Sequence, residues 1–157
     1  MGAHAREQGM SRRILRGFAP AALKKAREKK KLSVGELGRL AEVSPGAVLT
    51  WETGKSTPQA DSLKRAVTVL GIAMEDVVKI KPDQRYLGDL RVFAGLTQPQ
   101  LAAKIGISTT ALATVERGHS RLKEDVAQRL AEEFGLTVQD VEDAYERTRT
   151  RPPHTSP

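Results

Sequence analysis

Apolar positions fall three and four apart through most of the chain, the period of an α-helix with one buried face. After Pro20, which a first helical turn tolerates, Leu23 and Ala26 mark the inner edge of a helix running to about Lys31. Lys30 takes the next inward position and is long enough to snorkel. Ser33 with Glu36 forms a capping box that opens a second helix, in which Leu37 and Leu40 make the apolar stripe. Ala41 to Ser44 reads as a turn. Pro45 begins a third helix with Ala47, Val48 and Trp51 inward, and Gly54 ends it. Lys55 to Thr57 is an exposed loop; Pro58 restarts a helix through Leu63, Ala66, Val67 and Leu70, which Gly71 stops. A short fifth helix over Met74 to Val78 closes the unit. The fold class is all-α.

The same pattern then recurs. A shift of 64 positions aligns the two halves without a gap, pairing Leu23 with Leu87, Arg27 with Arg91, Leu37 with Leu101, Ser44 with Ser108, and Glu52 with Glu116. Gly54, Ser56, Arg65, Gly71 and Val77 pair with Gly118, Ser120, Arg129, Gly135 and Val141. Glycines and apolar skeleton match together, as a duplicated fold requires. Thr97 with Gln100 is the second capping box, and Thr137 opens the last helix near Asp140. The organisation expected is an arm over 1–17 without apolar periodicity, a first domain at 18–80 with its two-helix motif at about 33–52, a linker at 81–84, a second domain at 85–144 with its motif at about 97–116, and a basic, proline-bearing tail at 145–157 without a fold of its own. Domains this small bury only about 60% of their unfolded surface, so each core is marginal.

Charge changes the picture once it is located. The net +7 is concentrated in residues 1–32, which carry ten Lys/Arg against Glu7 and Glu28. Arg12, Arg13, Arg16, Lys24, Lys25, Lys29, Lys30 and Lys31 give the arm and first helix a field that attracts polyanions. Cysteine is absent, which excludes disulfides and thiolate metal sites and fits a reducing cytoplasm; His4, His119 and His154 are scattered and form no metal cluster. No apolar run approaches a membrane span. No phosphate-cradling glycine loop, no i, i+4 metal pair and no G-x-S-x-G occurs, so neither catalysis, metal nor cofactor is expected.

Arginine in the first helix, Leu32-Ser33 and Leu96-Thr97 at the second, Ser44 and Ser108 opening the third, then Trp51-Glu52-Thr53-Gly54 and Val115-Glu116-Arg117-Gly118, together resemble the Cro and phage-repressor (XRE) helix-turn-helix family. The resemblance covers 20–78 and 84–144 and implies two tandem five-helix, lambda-repressor-like DNA-binding domains with flexible tails. B-DNA's major groove admits one α-helix, whose first turns reach the base edges. By resemblance, Gln98 contacts phosphate and helps orient the third helix of the second copy. Thr109, Thr110, Ala113 and Thr114 take the groove-facing positions beyond Ser108, and His119, Ser120, Arg121 and Lys123 lie in the loop that touches the backbone. Arg27 with Glu52, and Arg91 with Glu116, are implied to be structural ion pairs rather than catalytic ones.

The first copy departs from this pattern. Val34 replaces the glutamine, and after Ser44 the groove-facing positions are Pro45, Gly46, Leu49 and Thr50, of which the first three offer no side-chain hydrogen bond. Lys30, Lys55 and Ser56 suit phosphate binding better than base reading. The expectation is a cytoplasmic, sequence-specific regulator of transcription, nucleoid-associated when bound to double-stranded DNA, acting as a repressor that inserts the third helix of one or both copies into the major groove; the hypothesis for their division of labour is that the first copy grips and the second reads. A homodimer stays open, with Ile72, Met74, Val77, Val78, Leu136, Val138 and Val141 as candidates for packing either between the domains or between chains; so does a protein partner (a toxin or polymerase). The alternative function is an antitoxin or protein-binding adaptor with autoregulatory DNA binding.

Overall fold

A computed structural model of the chain describes residues 14–157, so Arg12, Arg13 and the rest of the arm before Ile14 lie outside the described residues. The chain divides into two compact units, meeting in sequence at Lys79 and Ile80. Among the described residues all regular structure is helical, apart from one antiparallel bridge between Phe18 and Val78.

The first unit contains α1 (Pro20–Lys29), α2 (Val34–Ala41), α3 (Pro45–Glu52) and α4 (Ala60–Leu70). Ser33 and Glu36 form their reciprocal capping box at the start of α2, and the Ser44 hydroxyl caps α3. Leu23, Leu37, Val48, Trp51, Leu63 and Val67 meet in the core, one from nearly every helix face that periodicity pointed inward. Trp51, 5% exposed, is a core residue. Leu40 is the exception: it is 45% exposed, because α2 turns Leu37 and Ala41 inward and Leu40 falls outside that stripe. The fifth helix reduces to a single 3-10 turn, Met74–Asp76, after which the chain extends. There Ala19 N–H donates to the Val77 carbonyl at 2.8 Å and Lys79 N–H to the Gly17 carbonyl at 2.7 Å. Leu15 N–H also donates to Thr57 Oγ1 at 2.9 Å. Residues 15–17, read from sequence as arm, are thus part of the first unit, held by backbone bonds that carry no hydrophobic signature.

The second unit repeats the plan with α5 (Leu87–Phe93), α6 (Gln98–Ile105), α7 (Thr109–Glu116), α8 (Glu124–Phe134) and α9 (Val138–Arg149). Leu87, Leu101, Leu112, Leu130 and Val141 form its core. The 81–84 segment is not a free linker: Pro82–Gln84 is a 3-10 turn, and Arg147 holds the Arg85 carbonyl at 2.8 Å. Nor does the domain stop at Ala144. α9 runs five residues further, and Thr148, fully buried, accepts from Leu87 N–H at 2.9 Å while donating to the Ala144 carbonyl at 2.8 Å. The Tyr145 hydroxyl donates to the Ser120 carbonyl at 2.8 Å. A buried threonine whose hydroxyl is satisfied on both sides continues an apolar stripe that sequence periodicity loses at the first polar residue.

Two backbone positions separate the copies. At the ends of α5 and α6 the left-handed conformation falls on Gly95 and Gly106; the matching places of the first domain hold Lys31 and Glu42, at φ 62° and 60°. A side chain in that conformation costs about 1–2 kcal/mol. Met74, Val77, Val78 and Val141 are buried within the chain, which leaves little of the apolar surface foreseen for a homodimer beyond Ile72, Val138 and Leu136.

Candidate nucleic-acid interface

The two-helix motif is clamped at the same place in both domains. In the second, Arg91 Nε lies 2.8 Å from Glu116 Oε2, and Arg91 Nη1 donates to the Leu96 carbonyl at 2.9 Å. Gln98 Nε2 adds a bond to Glu116 Oε1 at 2.9 Å, so Glu116, 5% exposed, ties α5, α6 and α7 into one body. In the first, Arg27 Nε meets Glu52 Oε2 at 2.6 Å and Arg27 Nη1 the Leu32 carbonyl at 2.8 Å. The hydrogen bond that Arg27 donates to Glu52 raises the pKa of its guanidinium above the ordinary value, against the opposing effect of burial. Val34 contributes no polar atom, so this clamp lacks the third member. These pairs are satisfied and enclosed, and they tie the helices together.

Sequence reasoning passed over a second tie. Arg65 Nε donates to the Ala41 carbonyl and Arg129 Nη1 to the Ile105 carbonyl, both at 2.8 Å. Each arginine, reaching from α4 or α8, caps the open C-terminus of the first helix of the motif, where orphan carbonyls favour a cation. The signal for it lay in their match across the repeat.

On α7 the first turn is open. The Ser108 hydroxyl accepts from Ala111 N–H at 3.0 Å and so caps the helix, as Ser44 does toward Ala47 at 3.0 Å. Thr109 and Thr110 are exposed, and their hydroxyls make no side-chain hydrogen bond among the described residues. Ala113 and Thr114 are half-buried. The Thr114 hydroxyl donates to the Ala111 carbonyl at 2.9 Å and accepts from Ser120 at 3.2 Å. Thr50 does the same in the first domain, donating to the Ala47 carbonyl at 3.0 Å and accepting from Ser56 at 2.9 Å. The hydrogens of Thr50, Ser56, Thr114 and Ser120 are therefore spent inside the fold, where they pin the following loop to the helix. On α3, Pro45, Gly46 and Leu49 are exposed, Leu49 by 51%, with no side-chain donor or acceptor among them.

His119, Arg121 and Lys123 project from the loop after α7, and Lys55 from the loop after α3. Lys30 does not join them. Its Nζ lies 3.9 Å from where a Cβ of Gly71 would be, at the C-terminal end of α4, and α4 is about 16 Å long. There Lys30 lines a groove with Lys25, Lys29, Ala26, Leu70 and Ile72, remote from the loop that precedes α4. Among the described residues no cluster of His, Asp and Glu could hold a metal ion, and no helix is long and apolar enough to cross a membrane.

With this geometry in hand, comparison with known families is direct. A helix-turn-helix family model matches the chain twice, at residues 23–77 and 87–141, and the matches together cover well over half of it. A search of curated proteins finds no match.

Proposed function

Because this chain belongs to the helix-turn-helix family of the Cro and phage-repressor (XRE) type, whose fold it contains twice, we propose that it represses transcription by inserting α7 into the major groove of double-stranded DNA. DNA binding of this regulatory type follows from the family; the division of labour is our reading. The observation that carries it is the contrast between the two third helices. α7 presents two unspent hydroxyls, Thr109 and Thr110, on a helix whose far end is fixed by the Arg91–Glu116–Gln98 clamp. α3 presents proline, glycine and leucine on a helix held by a two-membered clamp. Base discrimination needs donors and acceptors at the groove, whereas phosphate binding needs only cations and backbone N–H groups. In this reading the second domain selects the sequence and the first adds affinity through Lys55.

Selection of bound duplexes from a random pool, with the full chain at near-physiological salt, tests this. One short motif is expected, and a reporter promoter carrying that motif across its start site should be repressed. Two half-sites at fixed spacing would show that both third helices read bases and would overturn the division. No enrichment would favour the second reading, an antitoxin or adaptor whose DNA binding is subsidiary. That reading draws on the groove of the first domain, whose apolar Ala22, Ala26, Leu70 and Ile72 are edged by three lysines.

A further inference from the structure

The last residues of the chain fold back onto the end of α7. Arg151 Nη1 donates to the carbonyl of Arg117, the C-cap of α7, at 2.8 Å and to the Thr148 carbonyl at 2.6 Å, while Arg151 Nε donates to the Thr155 carbonyl at 2.7 Å. The end of α9 comes so near the loop that a Cβ on Gly118 would lie 3.0 Å from Arg149 Cα. At Gly54, the matching residue of the first domain, nothing lies within 4 Å of that position. The latch therefore belongs to the second domain alone. It borders an open, shallow cleft of about 200 Å³ lined by Arg117, His119, Arg149, Arg151 and His154, with no carboxylate in the lining.

We infer that this cleft receives a backbone phosphate of the duplex held by α7, so that the C-terminal tail is part of the second domain's DNA interface. The inference rests on the reading that α7 binds DNA. His119 belongs both to the cleft and to the loop carrying Arg121 and Lys123, so the cleft prolongs that loop's cationic row. Arg117 is exposed and its side chain has no partner among the described residues. Arg149 shares its charge with Glu146, and Arg151 spends Nε and Nη1 on carbonyls, so Arg117 offers the free guanidinium fork while Arg151 adds its charge and Nη2. Guanidinium forks match phosphate oxygens in geometry as well as charge. The backbone latch fixes Arg151 before DNA arrives, which lowers the ordering cost of binding.

Two variants of the full chain test it on a duplex carrying the selected motif: Arg117→Ala, which keeps the latch because the latch uses that residue's carbonyl, and a chain ending at Thr150, which removes it. Both should bind severalfold more weakly with unchanged base preference. The slope of log affinity against log salt should fall by about 0.9 for each phosphate that is no longer neutralised. Unchanged affinity and slope in both would overturn the inference. So would a lower melting temperature of the shortened chain with an unchanged slope, since the tail would then only brace the domain. Saturable binding of inorganic phosphate to the full chain, with an unchanged duplex slope in both variants, would assign the cleft to a free anion and overturn it as well. Failure of the full chain to bind any duplex would overturn the reading of α7 itself, and this inference with it.

Discussion

Single residues carry both the proposed base reading and the backbone strain. Thr110→Ala removes an exposed hydroxyl from the first turn of α7 and should change the selected motif at one position, by about 1–3 kcal/mol of discrimination, as measured by competition between duplexes. Lys30→Ala, on the groove at the far end of α4, should leave affinity for that motif unchanged. The left-handed turn residues give a prediction about stability. Glu42→Gly should stabilise the first domain by about 1 kcal/mol and raise its melting temperature, because the backbone there stands at φ 60°. Gly106→Ala should destabilise the second by a similar amount, at φ 77°. Calorimetry of the two domains checks both signs. The capping boxes at Ser33 and Thr97 were legible in sequence because their signals are local; the bonds that Thr50 and Thr114 accept from Ser56 and Ser120 were not, since those serines lie six residues on, across a loop.

At the scale of elements, the clamp between the first helix and the end of the third was readable from the matched Arg and Glu of the two copies. Its third member was legible only in outline: by resemblance Gln98 contacts phosphate and helps orient the third helix, whereas the bond it donates to Glu116 appears only in the fold. Glu116→Ala leaves Arg91 enclosed without its carboxylate and should cost about 3–5 kcal/mol, read from denaturant unfolding of the second domain. Gln98→Ala should cost less and should reduce duplex affinity by loosening α7 against α6. The last helix is the other departure. Thr148→Val removes the acceptor of Leu87 N–H and should cost about 1–3 kcal/mol in the same measurement. A polar residue at an inward position hides the end of α9 from any reading that follows apolar spacing.

For the whole molecule, duplication makes one sequence carry two versions of one scaffold with different surfaces. The unit from Ile80 onward should select the same motif as the full chain, while the unit ending at Lys79 should bind duplexes with little regard to sequence and with strong dependence on salt. Separate selection experiments on the two units decide this. The family match spans both copies with the same boundaries relative to the repeat, so fold alone does not distinguish reader from gripper.

What the sequence determined was whatever rests on short-range order: helix period, caps, stop glycines, the 64-residue repeat and the family they point to. Those features are fixed by residues within a few positions of one another, and they survive without knowledge of the packing. Tertiary structure alone decided which polar groups are spent and which are free, because a hydroxyl, an amide or one side of a guanidinium is taken up by partners that folding brings from 6, 18 or 34 residues away. It also decided that the chain's end belongs to the second domain: Arg151 finds its acceptor at Arg117 only after α9 has been laid across α5 and α7.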